Sequence, residues 1–368
     1  MANDKKIRVE GTAYECGKQI GEQAEREIQC ALKAYKQLFM DTNKTSWKEA
    51  RERAAAYIPW IEKYDPFIME EMKGISDGAK VELIDIVTLN ARSEIMSAPD
   101  GCTSLAVVPP GTKNNKTLLA QNWDWMAAFK PSLIIVEIIQ PNRPKVLMCT
   151  EAGIVGKIGM NDSGIGVCLN YLSTTEQAHG VPVHVILRGI LNSQLFSQAV
   201  GQVSRLQRGT SANYLIATKE GEALDIESTC DDYDAIYLTD DTIVHSNHFY
   251  GPKHIKIKDL ARLNFPDTHL RHGRGEKLLK KEHGKIDVET IKSLLSDHIN
   301  YPDSICRHGE TLSPLPGRPL PSDTVFSIVM NLSDGYFELA PGQPCETPFE
   351  RHTFKRVNEL KQPTVTHS

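Results

Sequence analysis

The sequence predicts an α+β protein of layered design, in which a helical N-terminal hundred residues lead into a longer, sheet-rich remainder. Two observations carry this: apolar residues recur at helical spacing over residues 14–96, and after Cys102 the texture turns to short β-prone runs broken by turn residues. Strands and helices thus fall in separate blocks, the pattern of stacked α and β layers and not of a doubly wound parallel sheet.

In chain order, "ECGKQIGEQAEREIQCALKAYKQLF", "SWKEARERAAAYIPWIEKY", "PFIMEEMKGISDGA" and "ELIDIVTLNARSEI" predict four helices. Ser46 with Glu49 three residues on is a capping-box pattern, and Asp65-Pro66 marks a helix start. "TSLAVV", "TLLAQNW", "SLIIVEII", "KVLMCTEA", "GKIGM" and "GIGVCLNYL" read as strands, with Asn161-Asp162-Ser163-Gly164 as a hairpin turn. Helical spacing returns at residues 182–194 and 196–206, and strands at "ANYLIAT", "ALDIES", "DAIYLT" and "TIVHSN". Helices are then expected around residues 274–281 and 287–298, a Pro-rich loop at 313–323, and a closing hairpin from "TVFSIVMNL" to "GYFELA" around Ser333-Asp334-Gly335.

A chain of 368 residues, 40% hydrophobic and 24% charged, is long enough for one large or two modest cores without metal or disulfide staples. The net charge of -5 and the scattering of Lys and Arg among acids argue against a nucleic-acid partner. No apolar stretch of signal-peptide length opens the chain, and the longest aliphatic run, "LIIVEII", contains a glutamate and is too short to span a bilayer. The expectation is a cytoplasmic protein with no membrane partner. Eight cysteines (Cys16, Cys30, Cys102, Cys149, Cys168, Cys230, Cys306 and Cys345) include no CxxC, which predicts mostly reduced thiols.

Gly101 precedes Cys102 where the two halves meet. A nucleophilic side chain can attack its own preceding carbonyl, and a residue without Cβ obstructs that approach least. Cleavage would expose an α-amine on Cys102, and such an amine, with an unperturbed pKa of about 7.7–8.0, can serve as base for the adjacent thiol. Taken alone, a Gly-Cys pair opening a strand is more often a buried structural thiol.

The surroundings are more specific. "DGCTS" (100–104), "QNWDW" (121–125), "TEAGIVGKIGMNDSGIGV" (150–167), "GVPVHVILR" (180–188), "VHSNH" (244–248) and "NYPDSICR" (300–307) together resemble the acyl-coenzyme A:isopenicillin N acyltransferase family. These are self-processing N-terminal-nucleophile hydrolases related to choloylglycine hydrolases. The resemblance implies a four-layer αββα sandwich, self-cleavage between Gly101 and Cys102, and association of a helical segment, 1–101, with a catalytic core, 102–368. It also implies that Asp124 orients the new amine, that Asn247 donates to the oxyanion, and that Asn170 and Tyr171 lie by the substrate. Arg307, by the same resemblance, sits beside the nucleophile, lowers its thiol pKa and pairs with Asp124. Outside that context, Asp124 reads as a strand-end residue, Asn247 as a turn former and Arg307 as a solvated surface cation.

Other patterns are weaker. His245, His248, His269 and His272 give two HxxH spacings with no carboxylate-rich partner, so no metal is expected. "GKIGMNDSG" lacks the end of a phosphate loop, "CDDYD" reads as a solvated acidic loop, and Cys306 as a packing thiol. The function expected is therefore a cofactor-free amidohydrolase that opens a linear N-acyl or peptide-like amide through a Cys102 thioester. One alternative is acyl transfer to an amine from a small-molecule thioester such as acyl-coenzyme A. Another, of a different class, is an uncleaved, non-catalytic ligand-binding homologue.

Overall fold

Capping and periodicity agree in the N-terminal segment, and that agreement makes it helical. The computed structural model describes residues 5–96, 101–176, 178–205, 207–254, 256–264, 266–309 and 321–354. Most of the expected Pro-rich loop lies outside these. Strand β1 (Lys5–Glu10) is followed by α1 (Ala13–Gln23), α2 (Glu25–Asn43), α3 (Trp47–Ala55), α4 (Ile58–Tyr64), α5 (Pro66–Ala79), α6 (Leu83–Asn90) and α7 (Arg92–Ile95). Thr12 with Glu15, and Ser46 with Glu49, form reciprocal capping boxes, while Asp65 accepts from the Phe67 N–H at the start of α5.

All four expected stretches are helical, but three are divided, at Ala24, at Ala56-Tyr57 and at Ala91. The second break has a visible cause: Pro59 has no N–H and belongs in a first turn, where α4 places it. The strand β1 escaped the sequence reading. Helices α1 and α5 cross with their backbones in contact, since a Cβ on Gly74 would stand 2.1 Å from the Tyr14 carbonyl oxygen and one on Gly17 2.0 Å from that of Glu71.

The remainder runs β2 (Gly101–Val107), β3 (Leu118–Trp125), β4 (Leu133–Ile139), β5 (Val146–Glu151), β6 (Ile158–Asn161), β7 (Ile165–Tyr171), α8 (Val183–Leu191) and α9 (Phe196–Ser204). Then come β8 (Ala212–Thr218), β9 (Glu222–Ser228), β10 (Tyr233–Tyr237), β11 (Thr242–His245), α10 (Leu260–Asn264), α11 (Asp267–Glu282) and α12 (Val288–Leu295). The chain closes with β12 (Asp323–Asn331), β13 (Tyr336–Ala340) and β14 (Glu350–Thr353). The expected strands are present, as is the turn at Asn161-Asp162-Ser163-Gly164, where Gly164 takes φ +89° and donates to the Asn161 carbonyl. Helix α11 starts well before the expected residue 274, which matters below.

An eight-stranded sheet in the order β1-β4-β5-β6-β7-β8-β9-β10 packs on a six-stranded sheet in the order β11-β2-β3-β12-β13-β14. Every pair is antiparallel except β1 with β4, where Ile7 lies opposite Val136. Strands β2 and β3 face β7, burying an apolar layer that includes Ala106, Leu119, Trp123, Val167 and Leu169. Helices α2, α8 and α9 cover the outer face of the larger sheet, and α11 and α12 that of the smaller, over Leu105, Val107, Leu118, Leu279, Leu294 and Leu295. The result is the expected α+β fold in four layers, αββα. Among the described residues, no helix is long and apolar enough to cross a membrane.

Candidate active site

Cys102 lies near the start of β2, a central strand, and is 1% exposed. The alternation of β2 turns Cys102, Ser104 and Ala106 toward the larger sheet and Thr103, Leu105 and Val107 toward α11 and α12. Strand β11 pairs with β2, His245 opposite Ser104, so the chain leaving β11 carries Asn247 to Cys102. There the Cys102 N–H donates to Asn247 Oδ1 at 2.9 Å, and Asn247 Nδ2 donates to the Tyr171 carbonyl at 3.1 Å. A primary amide has two protons on nitrogen, so Asn247 Nδ2 can donate to a second acceptor besides Tyr171.

Asp124 occupies β3 directly across from Gly101. Its Oδ1 accepts from Thr324 Oγ1 at 2.7 Å, whereas its buried Oδ2 accepts no hydrogen bond and faces Arg307 Nε at 3.4 Å. The same Oδ2 lies 3.1 Å from where a Cβ on residue 101 would stand, so glycine there also makes room for the carboxylate. Burial pushes the Asp124 pKa up, and Arg307, Arg271 and the Thr324 bond offset this only in part.

Arg307 is fixed by its backbone: its N–H donates to Thr324 Oγ1 at 2.9 Å and its carbonyl accepts from the Thr324 N–H at 3.1 Å. Its guanidinium is shared among Asp124, Asp303 and Asp267.

Two members of the site were missed in the sequence. Arg271, on α11, donates to Asn247 Oδ1 at 2.9 Å, to Thr103 Oγ1 at 3.0 Å, to Asp267 Oδ2 at 3.0 Å and to the Cys102 carbonyl. Its bond to Asn247 sets that amide's orientation, with oxygen toward Cys102 N and nitrogen toward Tyr171. Asp267, one turn earlier, bridges Arg271 and Arg307; burial would raise its pKa, but the two guanidiniums outweigh burial and lower it. Asp267 and Arg271 have the i,i+4 spacing of an ion pair, a signal that also marks ordinary solvated helices. Asp124, Asp267 and Asp303 together face Arg271 and Arg307.

The structure thus gathers Gly101, Cys102, Asp124, Asn247 and Arg307. It separates the two pocket candidates. Asn170 is fully buried, accepting from Ser104 Oγ at 2.6 Å and Asn213 Nδ2 at 3.2 Å and reaching the His245 carbonyl at 3.4 Å, so its side chain ties the sheets together. Tyr171 lines a pocket with Met96, Leu169, Val183, Ala212 and the polar Arg92, Ser93 and Ser211. The histidines do acquire carboxylate neighbours, contrary to expectation: His245 Nε2 lies 3.1 Å from Glu227 and 3.9 Å from Asp225, because β9 and β11 meet across the sandwich. In the acidic loop, Asp232 pairs at the surface with Lys253 at 2.5 Å.

Residues 111–315 match the acyl-coenzyme A:6-aminopenicillanic acid acyl-transferase family, a stretch that holds Asp124, Asn247, Asp267, Arg271 and Arg307 and begins after Cys102. The chain is 33% identical over 313 residues to the 40 kDa form of acyl-coenzyme A:6-aminopenicillanic-acid-acyltransferase of Emericella nidulans, covering 82% of this chain and 84% of that protein. Among solved structures, a mutant of conjugated bile acid hydrolase from Clostridium perfringens is similar at 13% identity and a TM-score of 0.48, over 69% of this chain and 97% of that one. Penicillin V acylase from Agrobacterium tumefaciens is similar at 11% identity and a TM-score of 0.42, over 65% and 83%. By its matched core and its long alignment to the fungal enzyme, the chain belongs to the acyl-coenzyme A:6-aminopenicillanic acid acyl-transferase family.

Proposed function

We propose that this protein is a self-processing cysteine amidohydrolase that cuts itself between Gly101 and Cys102 and then opens linear N-acyl or peptide-like amides. The observation that carries the reading is Asp124 Oδ2, buried beside Gly101 without a hydrogen bond. An α-ammonium freed on Cys102 would keep its bond to Asn247 Oδ1 and approach Asp124 Oδ2. A structural thiol calls for none of this, and a buried carboxylate oxygen that accepts no hydrogen bond is costly without a use.

In processing, Cys102 Sγ adds to the Gly101 carbonyl carbon, the C–N bond breaks, and the thiol proton ends on the departing nitrogen. Water then hydrolyses the thioester to a Gly101 carboxylate and a free thiol. In turnover the Cys102 amine takes the thiol proton as sulfur adds to the substrate carbonyl, and the second Nδ2 proton of Asn247 stabilises the oxyanion. The amine passes its proton to the leaving nitrogen, and the acyl group stays on sulfur. Water completes hydrolysis; an acceptor amine would instead complete acyl transfer, the second reading, favoured by the fungal relative's description.

The fragments 1–101 and 102–368 would stay joined by a buried two-pronged pair of Glu71 with Arg188, at 2.6 and 2.7 Å, by Arg92 with Glu151 at 3.3 Å, and by the pairing of β1 with β4. A cytoplasmic location accords with the eight cysteines, none of them in a disulfide.

Intact-mass measurement on purified protein, with no added protease, is expected to show fragments ending at Gly101 and starting at Cys102, and Cys102→Ala is expected to remain one folded chain. A fully active protein of one chain would refute the processing. An inert single chain would favour the ligand-binding alternative. A panel of amides and thioesters, with and without an acceptor amine, separates hydrolysis from transfer.

A further inference from the structure

Beside the site, four side chains that take no part in it converge on one point. His298, Cys306, His308 and Cys345 each offer one metal-binding atom, and these atoms all lie within 4.8 Å of one another. His298 Nε2 is 3.1 Å from His308 Nε2, Cys306 Sγ is 3.5 Å from His308 Nε2 and 3.5 Å from Cys345 Sγ, and Cys345 Sγ is 3.4 Å from His308 Nε2.

A tetrahedral zinc ion with bonds of ~2.3 Å to sulfur and ~2.05 Å to nitrogen would place its ligand atoms ~3.3 Å (N to N), ~3.5 Å (N to S) and ~3.8 Å (S to S) apart. These four of the six ligand–ligand separations fall within about 0.3 Å of those edges, and the two from His298 Nε2 to the sulfurs are within 4.8 Å. Competing explanations fit less well. A disulfide would hold its sulfurs at ~2.05 Å, well short of the separation here. Hydrogen bonding alone must serve two imidazole nitrogens and two sulfurs crowded round the same centre. A cation relieves that crowding.

We propose that His298, Cys306, His308 and Cys345 bind one Zn2+ in a closed Cys2His2 site. Binding releases the two thiol protons, and the two thiolates balance the charge of the ion. The donor set of two soft sulfurs and two imidazoles selects zinc over magnesium, calcium or manganese. All four positions are protein ligands, so the ion has no open position for substrate and its role is structural. Arg307 stands between the ligands Cys306 and His308, and Cys345 lies in the turn after β13 in which Gln343 accepts from the Glu346 and Thr347 N–H groups. The ion therefore pins the loop that carries Arg307 to the far edge of the smaller sheet. This departs from the sequence expectation of no metal and a merely packing Cys306. The ligands are too widely spaced to form a finger pattern, with Cys306 and Cys345 39 residues apart.

The test uses the full chain purified under reducing conditions without chelator. Elemental analysis is expected to give about one zinc per chain. Cobalt exchanged into the site is expected to show the visible absorption of a tetrahedral thiolate complex. Cys345 is exposed, so Cys345→Ser keeps the fold by circular dichroism. Loss of outer-shell partners already costs about 10–100-fold in metal affinity, and loss of this ligand is expected to cost at least about 100-fold. Three results would overturn the proposal: a folded, reduced chain that takes up neither zinc nor cobalt, unchanged affinity in Cys345→Ser, or a Cys306–Cys345 disulfide in freshly isolated protein.

Discussion

Arg271→Lys separates the charge of Arg271 from its shape. The guanidinium reaches four acceptors, on Asp267, Thr103, Asn247 and Cys102, from three directions. A lysine keeps the charge, but its protons leave from a single point and cannot span these acceptors. At least two lose their donor. Hydrogen bonds to charged groups contribute ~1.5–3 kcal/mol each, so with lysine still paired to Asp267 the loss of stability is expected to be roughly 3 kcal/mol. The effect on processing has a ceiling, the complete loss of an aimed oxyanion donor at about 100- to 1000-fold. We expect Arg271→Lys to slow self-cleavage by about 100-fold, near that ceiling, because Asn247 is then free to turn its amide. The assay is a time course of fragment appearance on denaturing gels after translation is arrested in a cell-free extract, which needs no substrate. The deciding comparison is the double variant: if Arg271 acts through Asn247, then Arg271→Lys with Asn247→Ala cleaves no slower than Asn247→Ala alone. Multiplying effects, or a wild-type rate in Arg271→Lys, would refute the coupling.

In the cleaved fraction, Asp124→Asn removes the negative neighbour of the new ammonium, so the amine pKa is expected to fall by roughly 1–3 units and the acid limb of the turnover profile to move to lower pH; an unmoved profile rejects the pairing. Burial pushes Glu94 up to about 7 from an ordinary 4.5, with the Val183 N–H and Arg92 opposing only in part. Its folded-state pKa is raised, so stability is fullest below pH ~4.5 and falls as pH rises through about 7, by ~3 kcal/mol for this group. Urea unfolding at pH 5 and pH 8 is expected to show Glu94→Gln losing that slope, and an unchanged slope counts against it. Gly74→Ala would set a Cβ 2.1 Å from the Tyr14 carbonyl oxygen and is expected to cost at least about 2 kcal/mol, despite the better helix propensity of alanine. A wild-type melting temperature would show that α1 and α5 can separate freely.

Residues in tight sequence motifs were legible, and residues brought in by tertiary packing were not. Cys102 and Asp124 stand in compact patterns, and both occupy the strands expected of them. Asp267 and Arg271 belong to "DTHLRHGRGEKLLKKE", a helix so polar that its periodicity reads as solvent-facing; only its docking on β2 and β11 buries them. Strand β1 fails for a related reason, since its short "KKIRVE" run becomes a strand by pairing with β4, more than a hundred residues away. The glycines of the α1–α5 crossing were on view as Gly17, Gly21, Gly74 and Gly78, but nothing local says that the two helices meet.

The pairing of β1 with β4 changes meaning once the Gly101–Cys102 bond is cut. In the intact chain, residues 5–96 find the core as part of the same molecule, at an effective concentration on the order of millimolar. In two fragments the same strand pair and the same Glu71–Arg188 contact become an interface between separate chains. Melting should then depend on protein concentration, and refolding should become second order, where the uncut Cys102→Ala chain refolds in first order. If the proposed cleavage occurs, the peptide bond spent on it is also the tether that brought the halves together, and the cleaved protein would be easier to keep than to remake.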